Sequence, residues 1–322
     1  MPGLLPTAQG LMLQGSRFRF IAAAAAVSAG LLAGESARGL VINVTYDSTV
    51  TSAANSAQIQ SGFAYAAQQF TSRYSDPITI NITVAAGTTG LGGSSTQLAG
   101  FYTYTQIRNA LIADATTAND ASAVSTLPVV DPTGGHNYAT STAQAKALSL
   151  TGASTNNDGT YTFNNTLSYT FDPNNRAVAG KYDFIGVSMH EISEIMGRIP
   201  GLGANFGDGG PDYLPFDLFR YTAAGTRNFT NGNGIYFSIN NGTTNLKNFN
   251  FPNGNGSDPQ DWASGTNDSF NAFTGSGVQN DLTPVDITTM DVIGYDLIPE
   301  PSGIFASLLF YGGAALRRRR RA

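Results

Sequence analysis

Cysteine is absent from this sequence of 322 residues, and histidine, tryptophan and charged residues are scarce. The lack of cysteine excludes disulfide bonds and thiolate metal sites, so a zinc site could use only His, Asp, Glu, Tyr or water. The chain contains only two histidines, which restricts such a site further. Hydrophobic residues make up 41% of the chain, enough for a sizeable core, and the abundant Gly, Asn, Ser and Thr predict many loops and short strands.

Basic residues are also rare between the two ends of the chain. Residues 40 to 300 contain 21 acidic and 9 basic side chains, a net charge of −12. Because this segment lacks the basic surface that binds phosphate, we predict no nucleic-acid partner. An acidic surface suits an exported protein or one that holds divalent cations. Structural Ca²⁺ is one interpretation of the Asp/Asn/Gly-rich loops, and ordinary turns are the other, since regular calcium-binding repeats are missing.

A short apolar segment near the N-terminus predicts a secretory signal peptide. Arg17 and Arg19 precede an apolar run from residue 21 to 33, and Ala37 and Gly39 form a small-residue cleavage pattern. The run is short for a membrane span, and an anchor helix is the alternative. We assign residues 1–39 to the signal peptide and expect the mature chain to begin near Leu40.

The C-terminal segment, residues 299–322, predicts a second targeting signal. Pro299-Glu300-Pro301 is followed by an apolar run from residue 303 to 316 and by five arginines, a marginal transmembrane segment with a stop-transfer charge block. This order closely resembles the PEP-CTERM sorting signal of Gram-negative bacteria. The resemblance implies export, transient retention in the inner membrane, processing by an exosortase-type sorting enzyme, and final placement at the cell surface, in the envelope or in the extracellular matrix. A plain tail anchor is the alternative.

Between these ends the sequence predicts an α/β or α+β domain, residues 40–298, in two halves. The first half, residues 40–200, alternates strand and helix patterns. Its predicted strands are residues 40–46, 77–85 and 159–171, and its predicted helices are residues 55–74 and 105–115. We predict a Gly/Ser/Thr-rich loop at residues 87–100. The second half, residues 201–298, predicts loops and short strands, with one helix from Pro284 to Ile293.

The segment GVSMHEISEIMGR, residues 186–198, predicts a helix that carries metal ligands. Asp183 is expected to cap it. His190 and Glu194 lie one turn apart, so both side chains could reach one ion, and Glu191 lies about 100° around the helix. In H-E-x-x-H helices two ligands hold the metal, and the intervening Glu is the general base toward a metal-activated water. A core-facing stripe is predicted from Ile185, Met189, Ile192 and Met196.

The same segment resembles the metzincin motif H-E-x-x-H-x-x-G-x-x-H. His190, Glu191 and Gly197 are in register with it, whereas Glu194 replaces the second histidine and Pro200 stands at the third ligand position. Because proline cannot bind metal, the third ligand must come from elsewhere. His136 is one candidate, and three aspartates that follow the helix are others: Asp208, Asp212 and Asp217.

A closer resemblance is to the PEP-CTERM-tailed secreted bacterial metalloproteases. It rests on HEISE-x-MGR, on DLFRY at residues 217–221 and on D-I-T-x-M-D-V-I-G-Y at residues 286–295. This resemblance implies a zincin-like fold and Zn²⁺ as cofactor, and it favours Asp217 as the third ligand because Asp217 begins the matching DLFRY block.

The function predicted from these features is an exported zinc-dependent endopeptidase, a hydrolase that acts on protein or peptide substrates. Glu191 would be its catalytic base, and His190, Glu194 and Asp217 would bind the metal. The alternative is a non-catalytic protein of the cell envelope or biofilm matrix on the same scaffold. In that case Trp262 and Tyr236, in Asn/Gly-rich loops, could contact glycans.

Overall fold

Four strands form the main sheet, and three of them follow the alternating apolar patterns of the sequence. The strands are β1 (Val41–Tyr46), β2 (Thr79–Gly87), β3 (Gly92–Thr96) and β6 (Gly159–Asn164). Their order is β1-β2-β6-β3, with β1, β2 and β6 parallel and β3 antiparallel to β6 at one edge. Ile80, Ile82 and Val84 of β2 are buried in the core.

The computed structural model describes residues 39–299, except 255, 264 and 266. The predicted signal peptide and sorting tail therefore lie outside the described residues, apart from Gly39 and Pro299. In the part of the chain that is described, no helix is both long and apolar enough to cross a membrane.

Helices are present at the four places where the sequence predicts them, residues 55–74, 105–115, 186–198 and 284–293, and at three further places in the described part of the chain. The helices are α1 (Ser48–Thr51), α2 (Ser56–Thr71), α3 (Tyr104–Asp114), α4 (Ala118–Ser125), α5 (Thr142–Ala147), α6 (Phe184–Ile195) and α7 (Pro284–Val292). Ile59, Phe63 and Phe70 form the buried face of α2. Capping boxes start α3, α4 and α7, each led by a threonine whose hydroxyl accepts a backbone N–H bond.

The remaining strands are short and form three small sheets. They are β4 (Leu98–Tyr102), β5 (Tyr138–Ser141), β7 (Tyr169–Thr170), β8 (Tyr182–Asp183), β9 (Arg220–Ala223), β10 (Thr226–Arg227), β11 (Tyr236–Phe237) and β12 (Lys247–Asn248). β4 pairs with β5, β7 pairs with β8, and the third sheet has the order β10-β9-β11-β12. The architecture is thus mixed, with helices and several sheets, which confirms the α/β or α+β prediction at this level.

The predicted loop at residues 87–100 is wrong, because β3 and the start of β4 lie within it. The β3 residues pair one by one with β6, and Leu98 pairs with Ser141 of β5. These partners are distant in sequence, so the local Gly/Ser/Thr composition gave no sign of them. Glycine also has a steric role here: a Cβ on Gly92 would lie 2.8 Å from Cγ1 of Val187. β3 can therefore run directly against α6.

The C-terminal half buries Trp262, the side chain that would have to be exposed for the predicted contact with glycans. Trp262 is 0% exposed and packs among other aromatic rings, including Phe237 and Phe249. Its Nε1 donates to Oδ1 of Asp286 at 2.7 Å. Tyr236 is half-buried, and its hydroxyl donates to the carbonyl of Gly242. Glycan contact through Trp262 is therefore excluded, because burial in the core removes its ring from any ligand.

A group of five buried or half-buried carboxylates, the Asp cluster, lies where residues 73–76 meet the end of the fold. Its members are Asp76, Asp114, Asp120, Asp291 and Asp296. The bridge between Tyr74 and Leu297 brings the two chain segments together. Burial, reinforced by the neighbouring carboxylates, raises the pKa of Asp114 to about 8 and the pKa values of Asp76 and Asp291 to about 7.

The Asp cluster should make the protein less stable as pH rises. The unfolded carboxyls release their protons near pH 4, whereas the folded ones hold theirs to about pH 7–8, so unfolding becomes easier across that interval and changes little above it. Asp114→Asn removes one of these groups and should flatten the decline, stabilising the fold at pH 8 by about 1–3 kcal/mol after allowance for solvent screening. Thermal unfolding at pH 5 and pH 8 measures this.

The exposed Asp172 supplies a matched control, because Asp172→Asn makes the same chemical change outside the Asp cluster. This control should reproduce the wild-type pH dependence. A D114N variant whose midpoint falls between pH 5 and pH 8 as much as that of the wild type would contradict the assignment.

Candidate metal centre

Helix α6 is buried along almost its whole length, which fixes the side chains of the site. Residues Phe184 to Ile195 are all buried except His190, which is half-buried, and the predicted stripe lies in the core. Gly197 ends the helical segment with a φ of +107°, and a Cβ there would lie 2.9 Å from Gln144. Asp183 stands at the N-cap, but its carboxylate makes no cap hydrogen bond. It pairs instead with Arg176 at 2.7 Å, so the predicted capping role is wrong.

A carbonyl from the C-terminal half fixes the ring of His190. Nδ1 lies 2.8 Å from the carbonyl oxygen of Ser269. Because a carbonyl can only accept, Nδ1 must carry the proton and donate. Nε2 then faces the carboxylates of Glu194 and Asp261, at 3.3 Å and 3.4 Å. A carbonyl behind a ligating histidine is a common arrangement in metal sites, because it sets the tautomer and the ring orientation.

Two neutral side chains orient the carboxylate of Glu194. Ser94 of β3 donates to Oε2 at 2.8 Å, and Gln260 donates to Oε1 at the same distance. The residue is buried, and these bonds stabilise its charge. Burial alone would raise the pKa of Glu194, but the hydrogen bond and charge of His190, together with Arg198, lower it to about 2. Glu194 is therefore ionised at neutral pH.

Asp261 completes a group of three potential ligands. One atom each from His190, Glu194 and Asp261 lies within 4.8 Å of the other two, and this is the one such group among the described residues. Ligand atoms bound at about 2.05 Å to a tetrahedral zinc ion lie about 3.3–3.4 Å apart. The distances from Nε2 of His190 to the two carboxylate oxygens match that spacing. The three side chains thus fit a divalent metal.

Arg198 supports the two carboxylates from the side that faces the core. Its Nη1 lies 2.9 Å from Oδ1 of Asp261, and its Nη2 lies 3.6 Å from Oε1 of Glu194. The guanidinium stacks on the ring of Phe270 and is fully buried. One cation against two anions leaves a single negative charge when His190 is neutral, which still attracts a cation.

The two acidic neighbours control the protonation of His190. Burial by itself would lower the pKa of His190, but the carboxylates of Asp261 and Glu194 outweigh it and raise the pKa to about 10. A metal ion that binds Nε2 must therefore displace a proton. Burial, reinforced by Glu194, also raises the pKa of Glu191, which makes its carboxylate a stronger base than an exposed one.

A cavity of about 390 Å³ opens onto these residues. Glu191 lines it beside the three potential ligands, and a Cβ on Gly92 would lie only 2.9 Å from its Oε1. Two loops form the other walls, at residues 256–258 and 271–274, with β3 at the edge of the sheet on a third side. The site is therefore reachable by a ligand larger than water.

Comparison of the chain with protein-family models, with curated proteins and with solved structures found no match. The geometry of the site is thus the basis on which a function can be inferred.

Three of the four predicted site residues, His190, Glu191 and Glu194, lie together at the cavity, and the fourth, Asp217, is not among the residues that line it. Oδ2 of Asp217 accepts backbone N–H bonds from Gly201, Leu202 and Leu214, and the residue is fully buried in a 3₁₀ helix, Pro215–Phe219. Asp217 is not a member of the group formed by His190, Glu194 and Asp261. The predicted ligand role of Asp217 thus gains no support from this grouping, and the bonds to its carboxylate connect the chain after α6 to the 3₁₀ helix.

The other candidates for the third ligand also lie elsewhere. Asp208 accepts from Asn137 and Asp212 accepts from the backbone of Phe206, so both organise loops. His136 packs beside Tyr213. No sequence signal marked Asp261: it lies far downstream in a loop, in the segment SDPQDW, where an aspartate ordinarily indicates a turn.

Proposed function

We propose that this protein is a zinc-dependent endopeptidase of zincin-like architecture. The observation that carries the proposal is the position of Nε2 of His190, 3.3 Å from Oε1 of Glu194 and 3.4 Å from Oδ1 of Asp261, beside Glu191 in an open cavity. Three protein ligands with room for a further one are typical of catalytic zinc sites, whereas structural sites are closed by four.

The donor set favours zinc over calcium at this point. Calcium takes six to eight oxygen ligands, whereas zinc accepts imidazole nitrogen together with carboxylate oxygen. The spacing of about 3.3–3.4 Å also suits a four-coordinate ion with short bonds. Structural Ca²⁺ elsewhere in the Asp/Asn/Gly-rich loops remains a separate hypothesis from the sequence.

Each residue of the centre has a role in peptide hydrolysis. A zinc ion held by His190, Glu194 and Asp261 would supply Lewis acidity for the scissile carbonyl and for the attacking water. Glu191 would accept the proton of that water and pass it to the leaving amine. Ser269 keeps Nε2 of His190 directed at the site, and Ser94 and Gln260 hold Glu194 in its binding orientation.

The edge strand β3 supports a peptide as the substrate. β3 is hydrogen-bonded to β6 along one edge, and no described strand of this sheet pairs with the other edge of β3. Three of its residues, Gly92, Gly93 and Ser94, line the cavity. An extended peptide could add to this edge through main-chain hydrogen bonds, which would place a peptide bond across the metal centre.

The targeting signals of the sequence extend this proposal to an exported enzyme related to the PEP-CTERM-tailed metalloproteases. The predicted signal peptide and sorting tail would take it through the inner membrane to the cell surface, envelope or matrix, with an exosortase-type enzyme as processing partner. The absence of cysteine and the acidic body are compatible with that location.

Arg198 favours the second candidate function, a non-catalytic envelope or matrix protein. Its guanidinium contacts Asp261 at 2.9 Å, so Arg198, a protonated His190 and the two carboxylates could form a buried ion-pair network without metal. Such a network would stabilise the loop of Asp261 against α6 and perform no chemistry.

Metal analysis and a cleavage assay distinguish the two functions. The purified full-length protein should contain about one equivalent of zinc, and should cleave an unstructured protein such as casein. A chelator should abolish cleavage, and added zinc should restore it. A folded protein that binds no zinc and cleaves nothing would support the ion-pair network and reject the enzyme.

A further inference from the structure

The cavity at the metal centre is lined by acidic side chains. Five carboxylates face it, and among the described residues that line it there is no lysine or arginine. The five are Glu191, Glu194, Asp258, Asp261 and Asp268. The surrounding domain adds to this field, because residues 40 to 300 carry a net charge of −12. Among the described lining residues these carboxylates outnumber the one basic side chain, His190, and a cleft with such an excess of negative charge attracts cationic ligands.

Four of these carboxylates already have partners or roles. Glu194 and Asp261 belong to the proposed metal centre, and Glu191 is the proposed base. Asp268 pairs with Lys247 at 3.0 Å and accepts the backbone N–H of Phe270. Each would be difficult to divert to a substrate.

Asp258 is the carboxylate left for a ligand. It is exposed at the rim of the cavity, on the loop that leads to Asp261. Its backbone carbonyl accepts from Asn250 and Asp261, and no described residue donates a hydrogen bond to its carboxylate or forms an ion pair with it, since the charges of His190 and Arg198 act on it only from farther away. The backbone bonds fix the loop, so the position of Asp258 is set while its carboxylate forms no ion pair with a described residue.

Ser269 provides an independent sign of a polar ligand. The residue lines the cavity and is only 4% exposed, yet its hydroxyl has no hydrogen-bond partner among the described residues. Its backbone is already engaged: the N–H donates to Asp281, and the carbonyl accepts from His190. A buried hydroxyl without a partner is unfavourable, so a ligand that pairs with it would gain from doing so.

The apolar part of the cavity suits a long side chain. Leu91, Val187 and Phe273 line it together with the acidic residues, and Phe273 is 48% exposed. Lysine and arginine side chains combine an apolar stem with a charged head, so they can cover apolar walls while the head reaches a carboxylate.

We propose that this site selects peptides with a lysine or arginine close to the scissile bond, and that Asp258 is the main residue that recognises the basic side chain. The inference rests on the proposed peptidase function. The apolar wall would hold the stem of the basic residue, and Asp258 would pair with its head at the rim, while the buried hydroxyl of Ser269 would pair with a polar group of the bound peptide.

Matched fluorogenic peptides test this selection. The members of each set differ at one position near the cleaved bond, with lysine, the uncharged norleucine of similar length, or glutamate. We expect kcat/KM for lysine to exceed that for norleucine by about 3- to 5-fold, and glutamate to be the poorest, since an ion pair at an exposed position contributes up to about 1 kcal/mol. The lysine-to-norleucine ratio of kcat/KM should decrease at high salt, because salt screens the exposed ion pair between lysine and Asp258.

Substitution of Asp258 tests whether this residue is responsible for the preference for lysine. Asp258→Asn should reduce the lysine-to-norleucine ratio close to one, whereas Asp172→Asn, an exposed carboxylate that does not line the cavity, should leave it unchanged. Binding of the same peptides to the Glu191→Gln protein, followed by fluorescence anisotropy, gives a readout independent of turnover. Lysine peptides should bind more tightly there too, and D258N in that background should remove the difference.

The outcomes separate this inference from the function on which it rests. If folded, zinc-loaded protein cleaves none of the peptides, the peptidase function fails. If lysine and norleucine peptides are cleaved and bound equally well, the selection is refuted while the peptidase stands. A lysine preference that survives D258N would overturn the role of Asp258.

Discussion

Replacing Glu191 with glutamine is expected to reduce kcat/KM for peptide hydrolysis by about 10²–10⁴-fold, the usual contribution of a general base. Glutamine has nearly the same shape but cannot accept the proton of the attacking water. Glu191 is not one of the three grouped ligand residues, so zinc content should stay at that of the wild type. Cleavage kinetics and metal analysis of the same preparation measure both effects.

Glu194→Gln is the matched control for this experiment. The same chemical change three residues along α6 removes a charged ligand that Ser94 and Gln260 orient, so E194Q should lose zinc as well as activity. The pair of variants therefore separates a base from a ligand on one helix. Full activity of E191Q with zinc bound would exclude Glu191 as the base.

The part of the site that lies on α6 could be predicted from the sequence because it depends on local geometry. The spacing of His190 and Glu194 places them on one face of any helix, and the stripe of Ile185, Met189 and Ile192 indicates which face packs into the hydrophobic core. Long helices with a clear apolar period, such as α2 and α3, were predictable for the same reason. In these cases the interactions that determine the structure lie within a few turns of one another.

The third ligand could not be predicted, because it depends on how a distant loop closes over α6. Asp261 reaches the site through its own backbone bonds to Asp258 and Asn250 and through Arg198, none of which has a sequence pattern. The resemblance to secreted metalloproteases favours Asp217 instead, because Asp217 begins the matching DLFRY segment, whereas Asp261 lies outside all the segments that match. The strand β3 was missed for a similar reason: its glycine-rich segment becomes a strand by pairing with β6.

Arg198 explains how the two ligand carboxylates could stay together in the absence of a metal. Two buried carboxylates near one another would repel, and a buried guanidinium between them offsets that repulsion. Its contact with Phe270, next to Ser269, also links the carboxylates to the carbonyl that orients His190. One side chain thus connects all three ligands, which would make the centre preformed in the fold.

Asp261→Asn is expected to weaken zinc binding by at least about 100-fold, because even residues that only support a metal ligand contribute 10–100-fold. Asparagine can keep the hydrogen bond from Arg198 but loses the charge that binds the ion. Asp217→Asn should leave zinc affinity unchanged. It should instead destabilise the fold by about 1–3 kcal/mol, because the neutral amide oxygen would accept the three backbone N–H bonds now made to Oδ2 more weakly than the charged carboxylate does.

Zinc affinity by competition with a chromogenic chelator, together with urea unfolding of the metal-free proteins, resolves the two variants. The expected result is a double dissociation: D261N changes affinity more than stability, and D217N changes stability alone. If D217N lost zinc while D261N kept it, the third ligand would return to Asp217, and the close approach of Asp261 to His190 would belong to an ion-pair network. Equal loss in both variants, with both folded, would mean that neither carboxylate alone completes the centre.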